Sequence, residues 1–226
     1  MKTKIITMLA VSGAAALGVS ACGSSDDSAS SSSTGSSAAS SAPAAVKPLA
    51  SIPTLSGRST QVALDADFVG ALKTLKLAPA PIGTAKISSA GVASFPITGG
   101  NVTYYRPGSI SPYVQGEVDH AGSGLSLTGG GKVVRLTNFV IDPGKSVLTG
   151  KVTVDGKTAA ASAPLFFLDG RTLQPLKTGA DGTAILQGTT VKLKAEAAQL
   201  LDTTFGTDAL KAGLVIGVAK ITVNTA

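Results

Sequence analysis

The stretch Tyr113–Asp155, YVQGEVDHAGSGLSLTGGGKVVRLTNFVIDPGKSVLTGKVTVD, limits the fold more than any other part of the chain. Its side chains alternate with a period of two, the period of a strand with one buried face. Val114, Gly116, Val118 and His120 share one face, and Gln115, Glu117 and Asp119 share the other. Leu125 and Leu127 follow, then a Gly129-Gly130-Gly131 turn, then a long strand over Lys132–Ile141. Asp142-Pro143-Gly144-Lys145 has Pro and Gly at the type II turn positions. Leu148, Val152 and Val154 face one way, with Thr149, Lys151 and Thr153 opposite, up to Asp155-Gly156, a type I′ hairpin signal.

The flanks continue the pattern. Thr60–Leu64 reads as a strand. Asp65 is in place to cap a short amphipathic helix carrying Phe68, Val69, Leu72 and Leu75, which Pro79 and Pro81 end. Gly83–Ser88, Val92–Ile97 and Val102–Tyr105 read as short strands, split by Ser89-Ala90-Gly91 and Gly99-Gly100-Asn101. Ala163–Leu168 (APLFFL) is the most apolar internal segment and reads as a buried strand. Lys177–Gly182 reads as a loop, Thr183–Leu186 and Thr189–Lys194 as strands, Glu196–Leu201 as a short helix and Leu214–Val223 as the closing strand. The sum is a mainly β fold, a β-sandwich or barrel of about ten strands with one or two short helices.

Composition agrees. The chain has no Trp and few aromatics, so its core must be aliphatic, and 27 Gly imply many turns. The formal charge of +6 is spread over single Lys and Arg residues. A nucleic-acid partner needs a basic stripe, often interleaved with aromatics, and neither is present.

The N-terminus reads as an export signal. Lys2 and Lys4 precede the apolar run Ile5–Val19, which is too short to span a bilayer stably. It ends in Val19-Ser20-Ala21-Cys22-Gly23, which resembles a bacterial lipobox. That resemblance implies cleavage before Cys22 and lipidation of its thiol. Cys22 is the only cysteine, so no disulfide forms within one chain. Gly23–Ala45 has almost no large apolar residue and reads as a flexible tether reaching about 25 Å. The expected organisation is a signal peptide over 1–21, a Ser/Ala-rich tether over 22–59 and a single β-rich domain over 60–226. The expected location is the cell envelope, extracytoplasmic, anchored to the membrane through Cys22.

Signals for catalysis are weak. Gly144-Lys145-Ser146 ends like a P-loop, but the first glycine of that motif would be Phe139, and strand rather than helix follows. No Gly-x-Ser-x-Gly elbow accompanies His120, and Asp119 points to the other face of the strand. One histidine and one cysteine make a poor zinc set. The expectation is a non-enzyme. His120 is the sharpest single residue. It reads either as a half-buried histidine at a strand end bonded to a turn, or as a ligand or hydrogen-bond donor in an apolar pocket. In the second case Tyr104, Tyr105 or Tyr113 is its polar neighbour.

A longer resemblance bears on this choice. Phe95-Pro96, Gly99-Gly100, Gly116-Glu117-Val118-Asp119-His120-Ala121-Gly122, Leu125-Ser126-Leu127, Leu136-Thr137-Asn138-Phe139-Val140 and Leu148-Thr149-Gly150-Lys151-Val152 together resemble the HtaA-type domain. Val191–Ala197 and Phe205-Gly206 resemble its C-terminal region. That family comprises β-rich bacterial cell-surface modules, many of which bind haem. The resemblance implies that His120 stands where the family places a histidine supporting a haem-ligating tyrosine. That tyrosine is expected near the Asp67–Lys76 helix, where this chain has Phe68 and no Tyr. The family's Trp is absent too. Either haem binding is lost while the fold is kept, or one of Tyr104, Tyr105 and Tyr113 takes the role. The reading is a lipid-anchored binding module for haem or another small apolar ligand. The alternative is a structural or adhesive envelope lipoprotein without a small ligand.

Overall fold

A computed structural model describes residues 45–179 and 181–225. The 1–21 leader, Cys22 and the first part of the 22–59 tether lie outside the described residues. The strands are β1 (Ala50–Ile52), β2 (Arg58–Leu64), β3 (Ala78–Gly83), β4 (Lys86–Ile87), β5 (Val92–Pro96), β6 (Gly99–Tyr104), β7 (Val114–Gly129), β8 (Lys132–Asp142), β9 (Val147–Val154), β10 (Lys157–Asp169), β11 (Lys177–Gly179), β12 (Thr183–Leu193) and β13 (Val215–Asn224). Helix α1 (Ala66–Thr74) follows β2, and α2 (Ala195–Phe205) follows β12. The mainly β class with two α-helices matches the sequence reading.

The strands form one sheet, not two stacked ones. Its order is β1-β6-β7-β8-β9-β10-β12-β13-β2-β5-β4, with β11 added on β12 and β3 on β7. Every strand pair is antiparallel. The sheet curls into a half-barrel, because side chains from distant places in this order touch across its concave face. Phe95 of β5 stacks edge-on against Phe139 of β8, with ring centroids 5.3 Å apart. His120 of β7 bonds Thr60 of β2 at 2.8 Å. Twist and β-bulges are what bend a sheet this far. The sharpest bulge is on β7, where His120 to Gly124 spans only Phe139 to Thr137 of β8. Asn138 adopts a positive φ there, and its side chain accepts the Gly122 N–H at 3.0 Å.

Local signals account for most boundaries. The Asp65 carboxylate accepts from Asp67 N at 2.9 Å and Phe68 N at 3.4 Å, capping α1 as its position implies. Asp155 and Gly156 both have positive φ, as a type I′ turn requires. Gly206 ends α2 in the left-handed region.

Several expectations need correction. Gly99 and Gly100 lie inside β6 rather than in a turn. Gly100 is there because a Cβ would stand 2.1 Å from the Glu117 carbonyl of the neighbouring strand. Helix α1 ends at Leu75 and the left-handed Lys76 rather than at Pro79 and Pro81, which belong to a further strand, β3, at the margin of the sheet, where a missing N–H is tolerated. The turn after β8 is not type II at Gly144, because the positive φ falls on Ser146. Thr183–Leu193 is one strand bent at Gly188, not two. Strand β1 falls inside the expected tether. Ala50–Ile52 pairs with β6, and Leu55 is buried. Ile52 packs against the core beside it, and backbone bonds from Leu49 and Leu55 to β6 hold the segment.

Candidate functional site

The concave face is built by the period-two alternation of each strand. On β7 it turns Val114, Val118 and His120 inward, and all three are buried. On β2 it turns Thr60, Val62 and Leu64 to the same interior. Between them lies a cavity of about 420 Å³. Phe95, Phe139, Ile141, Phe166, Leu168 and Val191 form much of its wall, with Ala93 and Ala219 as the small residues that leave it open. Three connecting segments border it: Ser111–Val114, Pro143–Ser146 and Asp169–Leu173. They are neighbours, since Leu168 N donates to Ser146 O at 2.9 Å and Gln115 lies against Gly144.

His120 sits in the cavity wall at 1 % exposure. Its Nδ1 is 3.2 Å from the Phe139 carbonyl, and its Nε2 is 2.8 Å from the Thr60 hydroxyl. A carbonyl oxygen only accepts, so Nδ1 carries the hydrogen. The Nε2 lone pair then receives the Thr60 O–H. Burial pushes the imidazole pKa down to about 4, against smaller upward contributions from the Phe139 carbonyl and Asp119. The ring is therefore neutral at physiological pH. Phe95 closes over it edge-on, with centroids 6.5 Å apart.

The structure brings together two of the four side chains singled out as ligand candidates. His120 and Tyr113 both line the cavity. Tyr104 is buried behind Tyr113, edge-on at 5.7 Å, and Tyr105 pairs its N–H with the Tyr113 carbonyl at 2.7 Å, yet neither reaches the lining. Burial, and then Tyr104, raises the Tyr113 phenol above its ordinary pKa. The polar neighbour of His120 is thus Thr60, not a tyrosine. His120 is also not half-buried at a strand end, as one reading had it, but enclosed within β7.

Sequence reasoning passed over two features. Thr60 was in phase with Val62 and Leu64, a signal that put its hydroxyl on an otherwise apolar face. The second is an ion cluster at the cavity border. Asp169, almost fully buried, accepts from Arg171 Nε at 2.8 Å and Nη2 at 2.6 Å, and from Lys192 Nζ at 2.8 Å. Those cations hold its carboxyl well below the usual range. Asp169-Gly170-Arg171 follows the APLFFL strand directly, and Lys192 reaches it because β12 pairs with β10.

No family model matches the chain, and no curated protein matches it. Among solved structures the fold is similar to the C-terminal domain of HtaA from Corynebacterium glutamicum, at 14 % identity and a TM-score of 0.49, over 75 % of this chain and 97 % of that one. It is also similar to the heme binding protein HtaB of the same organism, at 11 % identity and a TM-score of 0.43, over 77 % of this chain and 96 % of that one.

Proposed function

We propose that this chain is a non-catalytic binding module that takes a small apolar ligand into the cavity of its half-barrel. One observation carries the reading. A space of about 420 Å³ with a mostly apolar wall persists where a purely structural sheet would be packed solid. Its buried polar groups, His120 with Thr60 and Asp169 with Arg171, are already engaged with one another, which suits holding a molecule rather than converting it. Haem belongs to the class by its apolar macrocycle, and the resemblance to the HtaA type points the same way. The envelope location is part of the proposal, with Cys22 carrying the anchor. Incorporation of labelled palmitate that survives Cys22→Ala would defeat that part.

The ligand reading is tested with a polarity-sensitive dye, 1-aminoanthracene. Its emission is expected to rise and shift blue on titration with the protein. It is expected to be lost when the cavity is filled by Ala219→Leu. No dye response at micromolar protein would sink the reading in favour of a structural envelope role.

A further inference from the structure

Iron in haem is held by an imidazole nitrogen with a free lone pair, a phenolate, a thiolate or a thioether. Only His120 and Tyr113 among the wall residues are of those types. His120 has neither nitrogen to spare. Nδ1 gives its hydrogen to the Phe139 carbonyl, and the Nε2 lone pair takes the Thr60 hydroxyl at 2.8 Å. Turning the ring toward a ligand would break both bonds inside a site where unpaired polar groups are costly. Tyr113 is a phenol set edge-on to Tyr104, and among the described residues no base is hydrogen-bonded to its hydroxyl to take the proton. The hydroxyl that faces His120 is an aliphatic alcohol, which does not ionise near neutral pH. The residues present do not fit an axial bond to iron.

We propose that the cavity holds its ligand by the ligand's apolar body alone, with no bond from the protein to a metal, and that Thr60 decides this. The inference rests on the reading of the cavity as a ligand site. It narrows the ligand class to apolar molecules recognised without a metal bond, porphyrins included where their rings fit. The His120–Thr60 pair then serves as a fixed, self-satisfied part of the wall that ties β7 to β2.

The test uses the full chain and two probes that differ only in the metal, hemin and metal-free protoporphyrin IX, each displacing bound 1-aminoanthracene. The expected result is displacement constants within about threefold of each other, or no displacement by either while the dye stays bound. A preference for hemin of about tenfold or more, equivalent to about 1.4 kcal/mol, that disappears in Tyr113→Phe or His120→Gln would overturn the proposal. Failure of the dye itself to bind is a different outcome and removes the underlying reading. Thr60→Tyr supplies the converse. A phenol placed against Nε2 is expected to create a preference for hemin of about tenfold or more, with a ferric–phenolate charge-transfer band. A folded Thr60→Tyr protein with neither would show that position 60 does not decide the matter.

Discussion

At the scale of single residues, His120 concentrates the energetics. Its imidazole is enclosed, neutral and bonded at both nitrogens, with a pKa pushed down to about 4 by burial. An unfolded histidine takes its proton near pH 6.5. Between those values the unfolded chain binds more protons than the folded one, so stability rises with pH through that window. The contribution is fully present above about pH 6.5 and is lost as pH falls toward 4, by about 3 kcal/mol in all. The chain has no other histidine. Urea midpoints measured at pH 7 and pH 4.5 are therefore expected to differ clearly in the native protein and much less in His120→Gln, whose amide can still pair but does not titrate. An equal drop in both proteins would place the pH dependence elsewhere. Asp169 acts in the same sense, but over a lower pH window. Its depressed carboxyl stabilises the fold above the ordinary carboxylate range and loses that contribution only in strong acid.

Among the elements, the close approach of β6 to β7 makes demands on both strands. Gly100 has φ +112°, and a Cβ there would lie 2.1 Å from Glu117 O. Gly116, across the same pair, would put a Cβ 2.2 Å from Asn101 O. Gly70, on the exposed side of α1, has nothing within 4 Å. Gly100→Ala is expected to cost about 3 kcal/mol. Gly70→Ala is expected to stabilise by about 0.5–1 kcal/mol through helix propensity. Denaturant unfolding of the two variants checks this, and similar midpoints would contradict it. The same contrast shows what sequence could reveal. Alternation in β7 and β8, the Asp65 cap and the Asp155-Gly156 turn are local, and each was legible. Gly99-Gly100 looked like a turn because a glycine needed for close approach and one needed for reversal read alike. Pro79 and Pro81 concealed β3, since whether a strand sits at a sheet margin is a property of the whole sheet. His120 facing inward followed from phase. Its bond to Thr60, sixty positions away, followed only from the curl of the sheet, and no local pattern carries that.

For the whole molecule, the cavity is the consequence of a thirteen-strand sheet lined with too little side-chain volume. The chain has no Trp, and Ala93 and Ala219 stand where larger residues would meet across the concave face. Close packing is the ordinary state of an interior, and an unfilled apolar space gives up dispersion contacts. A chain under no demand to bind would gain by filling it. Ala219→Leu tests this directly. Ala219 is buried on β13, and its neighbours in the wall include Ile216 and Ile221. The added carbons would enter apolar surroundings, at about 0.8 kcal/mol per CH₂ removed from water. The expected outcome is an unchanged or higher Tm in the free protein, together with dye affinity lower by about tenfold or more. Stability and binding would then move in opposite directions, which marks a space kept open for an occupant. A Tm lower by several degrees with dye affinity untouched would mean that Ala219 already packs against a filled core, and that the dye is held elsewhere.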